Sequence, residues 1–192
     1  MNLLFNMNDF QYTPFILKST HNSNNLHNET SGETKKSNEK WWNKLYFLEK
    51  KSNMIMDGFF TKITYSNEYM TMNGLYFDLP IKNPNINKIH TNLYLLQIDN
   101  ENKPIMQILC EIEKQLLLYY YHYYNIHGKS FSYNLKSQLQ NGFIKIYKET
   151  NDCFISKKSI NPSFFYIKIS GIWESQTEIG ITFKIIEYKK NI

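Results

Sequence analysis

The sequence predicts a mainly β fold crossed by one long helix, and three observations carry the prediction. The last third of the chain holds three runs in which apolar residues alternate with Lys, Tyr or Thr. One stretch beginning near Pro104 repeats its apolar residues at steps of three and four. Asn, Gly and Pro break up the segments before it. Alternation with period two marks a half-buried strand, and a repeat near 3.6 marks an amphipathic helix.

Composition sets the outer bounds. A chain of 192 residues is one domain, or one domain with a tail. A hydrophobic share of 42% with 16% aromatic residues is enough for a core. The sequence has no Ala, Val or Arg and is rich in Asn, Ile, Lys, Tyr and Phe, as an A/T-rich genome would dictate. All 22 basic residues are therefore Lys, and the net charge is +5. Lysine is a compact point charge suited to phosphate, without the bidentate fork that reads guanine. A basic balance of this kind favours sequence-independent contact with a polyanion. Cys110 and Cys153 form no CxxC pair and read as reduced thiols of an intracellular protein. The start of the chain lacks the pattern of a secretory signal, and no run of about 20 apolar residues suggests a membrane span.

The elements follow in order. Residues 1–17 read as an N-terminal arm with a short strand over Asn8 to Leu17. Residues 18–40 carry one isolated Leu26 among polar residues and read as a disordered linker. The folded domain is expected over 41–192. Trp41 to Leu48 is either a helical turn or an aromatic anchor. Met56 to Tyr65 reads as a strand. Tyr69 to Leu79 reads as a hairpin or bent strand turning at Asn73-Gly74. Pro80 to Asn87 reads as a loop, and Thr91 to Asp99 as a strand. The helix starts at Pro104, a favoured first position, and ends by Gly128. Ile105, Ile108, Leu109, Ile112, Leu116, Tyr119, Tyr120 and Tyr123 form its apolar face, with Glu111, Glu113 and Lys114 opposite. Ser132 to Leu139 reads as a short second helix. Three C-terminal strands close the chain. This pattern suits a small barrel or sandwich, with a five-stranded oligonucleotide-binding (OB-fold-like) barrel and an inserted helix as the leading case.

The chemistry sits in those last strands. Phe143, Lys145 and Tyr147 share one face of the first. Tyr166 and Lys168 project away from Phe165, Ile167 and Ile169 on the second. Thr182 and Lys184 oppose Ile181, Phe183 and Ile185 on the third. Paired together, these strands would present Lys145, Tyr147, Tyr166, Lys168 and Lys184 as one cationic and aromatic patch. Such a face can hold phosphates and stack bases. It can equally be a solvated face guarding a sheet against aggregation. Lys62, Tyr65 and Tyr76 are weaker candidates on earlier strands. Trp173, close to Gly171, reads either as a stacking platform or as a ring packed over a bulge. The histidines lack metal-ligand spacing, and no phosphate-cradling loop or nucleophile elbow occurs. No cofactor, metal or catalytic role is expected.

The order of a strand with Leu95-Leu96-Gln97-Ile98-Asp99, a helix around Ile112-Glu113-Lys114 and a lysine-bearing strand leads into two longer runs. These are Lys168-Ile169-Ser170-Gly171-Ile172-Trp173-Glu174 and Ile179-Gly180-Ile181-Thr182-Phe183-Lys184. In this the chain resembles the single-stranded DNA-binding proteins of large DNA viruses and related linear plasmids, over roughly residues 56–188. The resemblance implies an oligonucleotide-binding barrel with a helix between strands, and it implies that Trp173 and Lys184 lie on or beside the DNA face. Many such proteins carry an acidic tail, whereas this sequence finishes on Glu187-Tyr188-Lys189-Lys190-Asn191-Ile192, which puts recruitment through a tail in doubt.

The expected function is sequence-independent binding of single-stranded DNA in replication or recombination. Lys62, Tyr76, Lys145, Tyr147, Tyr166, Lys168, Trp173 and Lys184 are its contact residues. RNA is the second candidate strand. Replication proteins and a second copy of the chain are further partners this reading allows, and a membrane is not among them. Two rival readings stand beside it: a viral structural or protein-contact β-sandwich, and an RNA-binding or transcription-accessory module.

Overall fold

The computed structural model describes residues 45–54, 57–66, 68–91, 93–147 and 163–189. The expected arm and linker, Trp41, Trp42 and Cys153 lie outside them.

Ten strands and two helices make up the described chain. They are β1 (Leu45–Asn53), β2 (Gly58–Ser66), β3 (Thr71–Met72), β4 (Leu75–Leu79), β5 (Asn85–Lys88), β6 (Leu93–Gln97), α1 (Lys103–Tyr123), β7 (Ser130–Ser132), α2 (Asn134–Gln140), β8 (Phe143–Tyr147), β9 (Ser163–Glu174) and β10 (Glu178–Lys189). The strands join one sheet in the order β1-β2-β9-β10-β8-β6-β5, with β3 on β2, β4 on β9 and β7 on β10. The mainly β class with a long helix agrees with the sequence. The pairing gives an open sheet of ten strands among the described residues, seven along one path and three beside it, and shows no closed ring of five.

The β9–β10 hairpin is the spine. Its strands are 12 residues each and pair antiparallel through eleven residues of each. On the far side of β9, β4 pairs with Phe165 to Ile169 and β2 with Gly171 to Glu174. On the far side of β10, β7 pairs parallel with Glu178 to Gly180, and β8 pairs parallel at Ile185 and Ile186. Opposite Phe183 stands Ile169 and opposite Thr182 stands Gly171, so Ser170 is an extra residue, a β-bulge. The bulge shifts the alternation. Phe165, Ile167 and Ile169 point inward before it, and Ile172 and Glu174 after it.

The core lies between the inner face of this sheet and α1. Ile63, Leu75, Phe77, Leu96, Ile144, Ile146, Phe165, Ile167, Ile169 and Ile172 meet Leu109, Ile112, Leu116, Leu117 and Tyr120 in one buried cluster. Burial of each such side chain contributes about 1.5–3 kcal/mol. A 3-10 turn over Asn100–Asn102 leads into α1, where Asp99 accepts the Asn102 amide at 3.1 Å. Pro104 occupies the first turn of the helix, where its missing N–H costs nothing.

Four local expectations change. Leu45–Asn53 is a strand, which replaces the helical turn expected up to Leu48, while Leu45 and Phe47 pack on the core as the alternative anchor reading has it. Its Glu-Lys-Lys-Ser run hides the pattern, because an edge strand has only one neighbour and leaves most side chains in water. Asn85–Lys88, inside and just beyond the expected Pro80 to Asn87 loop, is the opposite edge strand for the same reason. The chain does turn at Asn73-Gly74, with Gly74 at φ +113°, but β3 and β4 pair with different strands, so of the two expected forms the hairpin is ruled out and the bent strand fits. Glu113, expected on the solvated side of α1, is buried. Its two carboxylate oxygens accept the Leu135 and Lys136 amides at 2.9 Å each. Glu113 thus caps α2, whose own preceding residue, Tyr133, makes no side-chain cap. Burial raises the Glu113 carboxyl above its ordinary value, against the lowering pull of those two amides.

Candidate nucleic-acid interface

The outer face of the sheet is set by the same alternation that buries the core. Residues directly opposite across a strand pair share a face. Tyr76 of β4 stands opposite Lys168 of β9, which stands opposite Lys184 of β10. In the next row Asp78 stands opposite Tyr166, Tyr166 opposite Ile186, and Ile186 opposite Tyr147 of β8. Lys145 and Lys184 each precede one member of the Ile146–Ile185 pair, which sets those two lysines side by side. Tyr76, Lys145, Tyr147, Tyr166, Lys168 and Lys184 therefore share one face on four adjacent strands.

Two like charges directly opposite each other are unfavourable in a sheet. Lys168 and Lys184 occupy such a pair and lean apart. The Lys168 ammonium lies 5.2 Å from the Tyr76 ring centre, and the Lys184 ammonium 5.9 Å from that of Tyr147. Tyr76 and Tyr166 rings lie 6.0 Å apart. Ile186, only 9% exposed although it faces outward, fills the floor between Tyr166 and Tyr147. Among the described residues no salt bridge involves Lys145, Lys168 or Lys184. The result is three cations beside an aromatic and aliphatic floor, with Asp78 at one end as a negative boundary.

Trp173 and Lys62 lie on this face but beyond the bulge. Trp173 pairs with Gly180 and packs over it: a Cβ at position 180 would come within 2.5 Å of the indole. Phe60 packs over Gly171 in the same way. Both glycines are sites where only a missing side chain lets a ring lie flat on the sheet. Trp173 is thus half-buried in cross-strand packing. Lys62 is exposed and opposite Gly171, which continues the cationic face along β2. Tyr65 faces the core and leaves the set.

Behind the face, a buried charge cluster fixes the end of the spine. Glu174 is 5% exposed and takes Lys50 at 2.6 Å and Lys129 at 2.7 Å. The Tyr120 hydroxyl donates to it at 3.1 Å and lies 2.9 Å from Thr61 Oγ1. Burial alone would lift the Glu174 carboxyl, but the hydrogen bonds and charges of Lys129 and Lys50 outweigh it and hold the group below its ordinary value. Burial pushes the Tyr120 phenol well up. The Lys50 ammonium also lies 4.7 Å from the Tyr124 ring centre. The tyrosine run is therefore mostly packing. Tyr119 and Tyr120 turn inward as expected, whereas Tyr123, expected to pack, is 59% exposed and rests its ring edge against Phe47.

Sequence reasoning missed Phe60, Asp78 and Ile186. Phe60 alternates with Lys62 and was legible there. The Ile185-Ile186 doublet broke the alternation and signalled an apolar spot on the outer face. Among the described residues no cluster of His, Cys, Asp and Glu could hold a metal ion, and no helix is long and apolar enough to cross a membrane. Comparison of the chain with protein-family models, with curated proteins and with solved structures gives no match.

Proposed function

We propose that the outer face of β4, β9, β10 and β8 binds single-stranded nucleic acid, DNA in the first place, without reading its sequence, in replication or recombination. The observation that carries this is the opposed Lys168–Lys184 pair, whose ammoniums are drawn apart onto Tyr76 and Tyr147. An anion entering between them relieves a repulsion that the folded chain otherwise bears. Lysines supply phosphate contact without base selection. Tyr76, Tyr147 and Tyr166 offer ring faces to bases, each stack contributing roughly 1–3 kcal/mol. Bases can reach those rings only when unpaired, which favours a single strand over a duplex. DNA is placed before RNA by the resemblance to viral and plasmid single-stranded DNA-binding proteins. Kinship with their five-stranded barrel is part of the same proposal, supported by the sequence of strand β6, helix α1 and strands β8, β9 and β10. The reading assigns no catalysis to the chain, and leaves replication proteins and a second copy as further partners.

Fluorescence anisotropy with labelled oligo-dT, RNA of equal length and a duplex, at low and moderate salt, tests it. Tight, salt-weakened binding to oligo-dT above the other two is expected. Preference for RNA would point to contacts with the 2′-hydroxyl. Absence of binding to all three would turn the patch into a protein-contact surface.

A further inference from the structure

β7 leaves β10 after Gly180, and β8 joins it only at Ile185. Between them no described strand pairs with residues 181–184 on that side. A groove of about 360 Å³ opens along this gap, with Ile181, Thr182 and Phe183 on one wall and Asn134, Ser137 and Gln138 of α2 on the other. Lys145 and Tyr147 of the patch close its end. Its volume falls near the lower end of the roughly 300–1,000 Å³ that small-molecule sites occupy. An unpaired strand edge presents N–H and C=O groups in alternation, the same donor and acceptor chemistry that a base carries on its Watson–Crick edge. Gln138 adds to this. Its Oε1 accepts the Lys145 amide at 3.1 Å, so what it offers a ligand is its NH₂ group.

We infer that this groove seats one unstacked nucleobase bearing a carbonyl acceptor, such as thymine or uracil, while the backbone of the same strand follows the lysines of the patch. The inference rests on the single-strand reading of the patch. Tyr147 belongs to both: it lines the groove, and its ring centre lies 5.9 Å from the Lys184 ammonium of the patch. The edge of β10 and the Gln138 amide supply hydrogen bonds, and the strand wall excludes water from one side of the base. The outcome is a mild preference for keto-bearing bases on an otherwise sequence-blind surface.

The test compares oligo-dT, oligo-dA and an all-abasic strand of equal length, with wild type, Gln138→Met and Ser137→Trp. Ser137 is exposed on α2, so a ring there fills the groove without touching the core. Circular dichroism and thermal melting confirm that both variants fold. Wild type is expected to bind oligo-dT more tightly than the abasic strand by more than the about 5-fold that even one weak stack contributes, because the abasic strand lacks the bases of the ring stacks as well as the one in the groove. Ser137→Trp should cut the affinity for oligo-dT several-fold and leave the abasic affinity and its salt dependence unchanged. Gln138→Met should lower the dT-to-dA affinity ratio. Unchanged oligo-dT affinity and ratio in both variants would overturn the groove while leaving the patch intact. Equal losses on oligo-dT and the abasic strand would overturn it too, by showing that the variants act through the lysines. A wild type that binds none of the three strands would remove the patch reading and the groove with it.

Discussion

Replacing Lys168 and Lys184 together by Gln separates charge from fold. For a single strand, log K falls with log salt by about 0.7 per phosphate neutralised. With Lys62, Lys145, Lys168 and Lys184 each holding one phosphate, the slope is about −2.8, and affinity drops about 50-fold between roughly 50 and 200 mM salt. Without two of them the slope is about −1.4, and the same interval costs about 7-fold. The folded state should barely notice. Removing a directly opposed like-charge pair returns about 0.2–1 kcal/mol. Losing the contacts with Tyr76 and Tyr147 takes away about 0.5–1 kcal/mol for each ammonium at an exposed site. At 5.2 and 5.9 Å these contacts are near the outer limit of their range, so the terms nearly offset. Anisotropy titrations with oligo-dT at four salt concentrations, beside urea unfolding of both proteins, provide the measurement. A double variant whose salt slope equals that of wild type would refute the assignment of phosphates to this pair, whatever its absolute affinity.

Other expectations follow from the interior. Glu174→Leu should destabilise the protein by about 3–5 kcal/mol, since it leaves Lys50 and Lys129 facing each other in a mostly buried site; denaturant midpoints measure it. Because the Glu174 carboxyl is held low in the folded state, its contribution is complete above the ordinary carboxyl value and disappears as pH falls through the lowered one. Melting temperature should therefore fall more steeply on acidification below about pH 4.5 in wild type than in Glu174→Gln, since that is the unfolded-side value. Glu113→Ala should cost about 1–3 kcal/mol by stripping two amides of their acceptor, with hydrogen exchange at Leu135 and Lys136 accelerated first. Gly180→Val should displace the Trp173 ring, changing the near-ultraviolet circular dichroism and lowering stability by about 1–3 kcal/mol.

Much of this arrangement was legible in the residues, and the limits have physical causes. Lys145, Tyr147, Tyr166, Lys168 and Lys184 could be placed on one face because each strand states its own parity, and pairing β8, β9 and β10 then brings them together. The helix was legible because α1 is long and its apolar repeat spans several turns. β1 and β5 were not, because edge strands draw their order from a neighbour and show little alternation of their own. Glu113 was misjudged because helical periodicity assigns faces but cannot see a second helix end arriving to use the carboxylate. The groove was invisible for a related reason: it exists only where β7 and β8 fail to meet along β10, a property of three segments at once.

The bulge at Ser170 means that β9 is read in two frames. Upstream of it the even-numbered residues Tyr166 and Lys168 face out; downstream the odd-numbered Trp173 does so, and the single inserted residue keeps both on the same side. Deleting Ser170 would keep every other residue and still turn one half of the strand over. Either Tyr166 and Lys168 would enter the core in exchange for Phe165 and Ile167, or Trp173 would trade places with Ile172 and Glu174. One serine therefore acts as punctuation for the whole face.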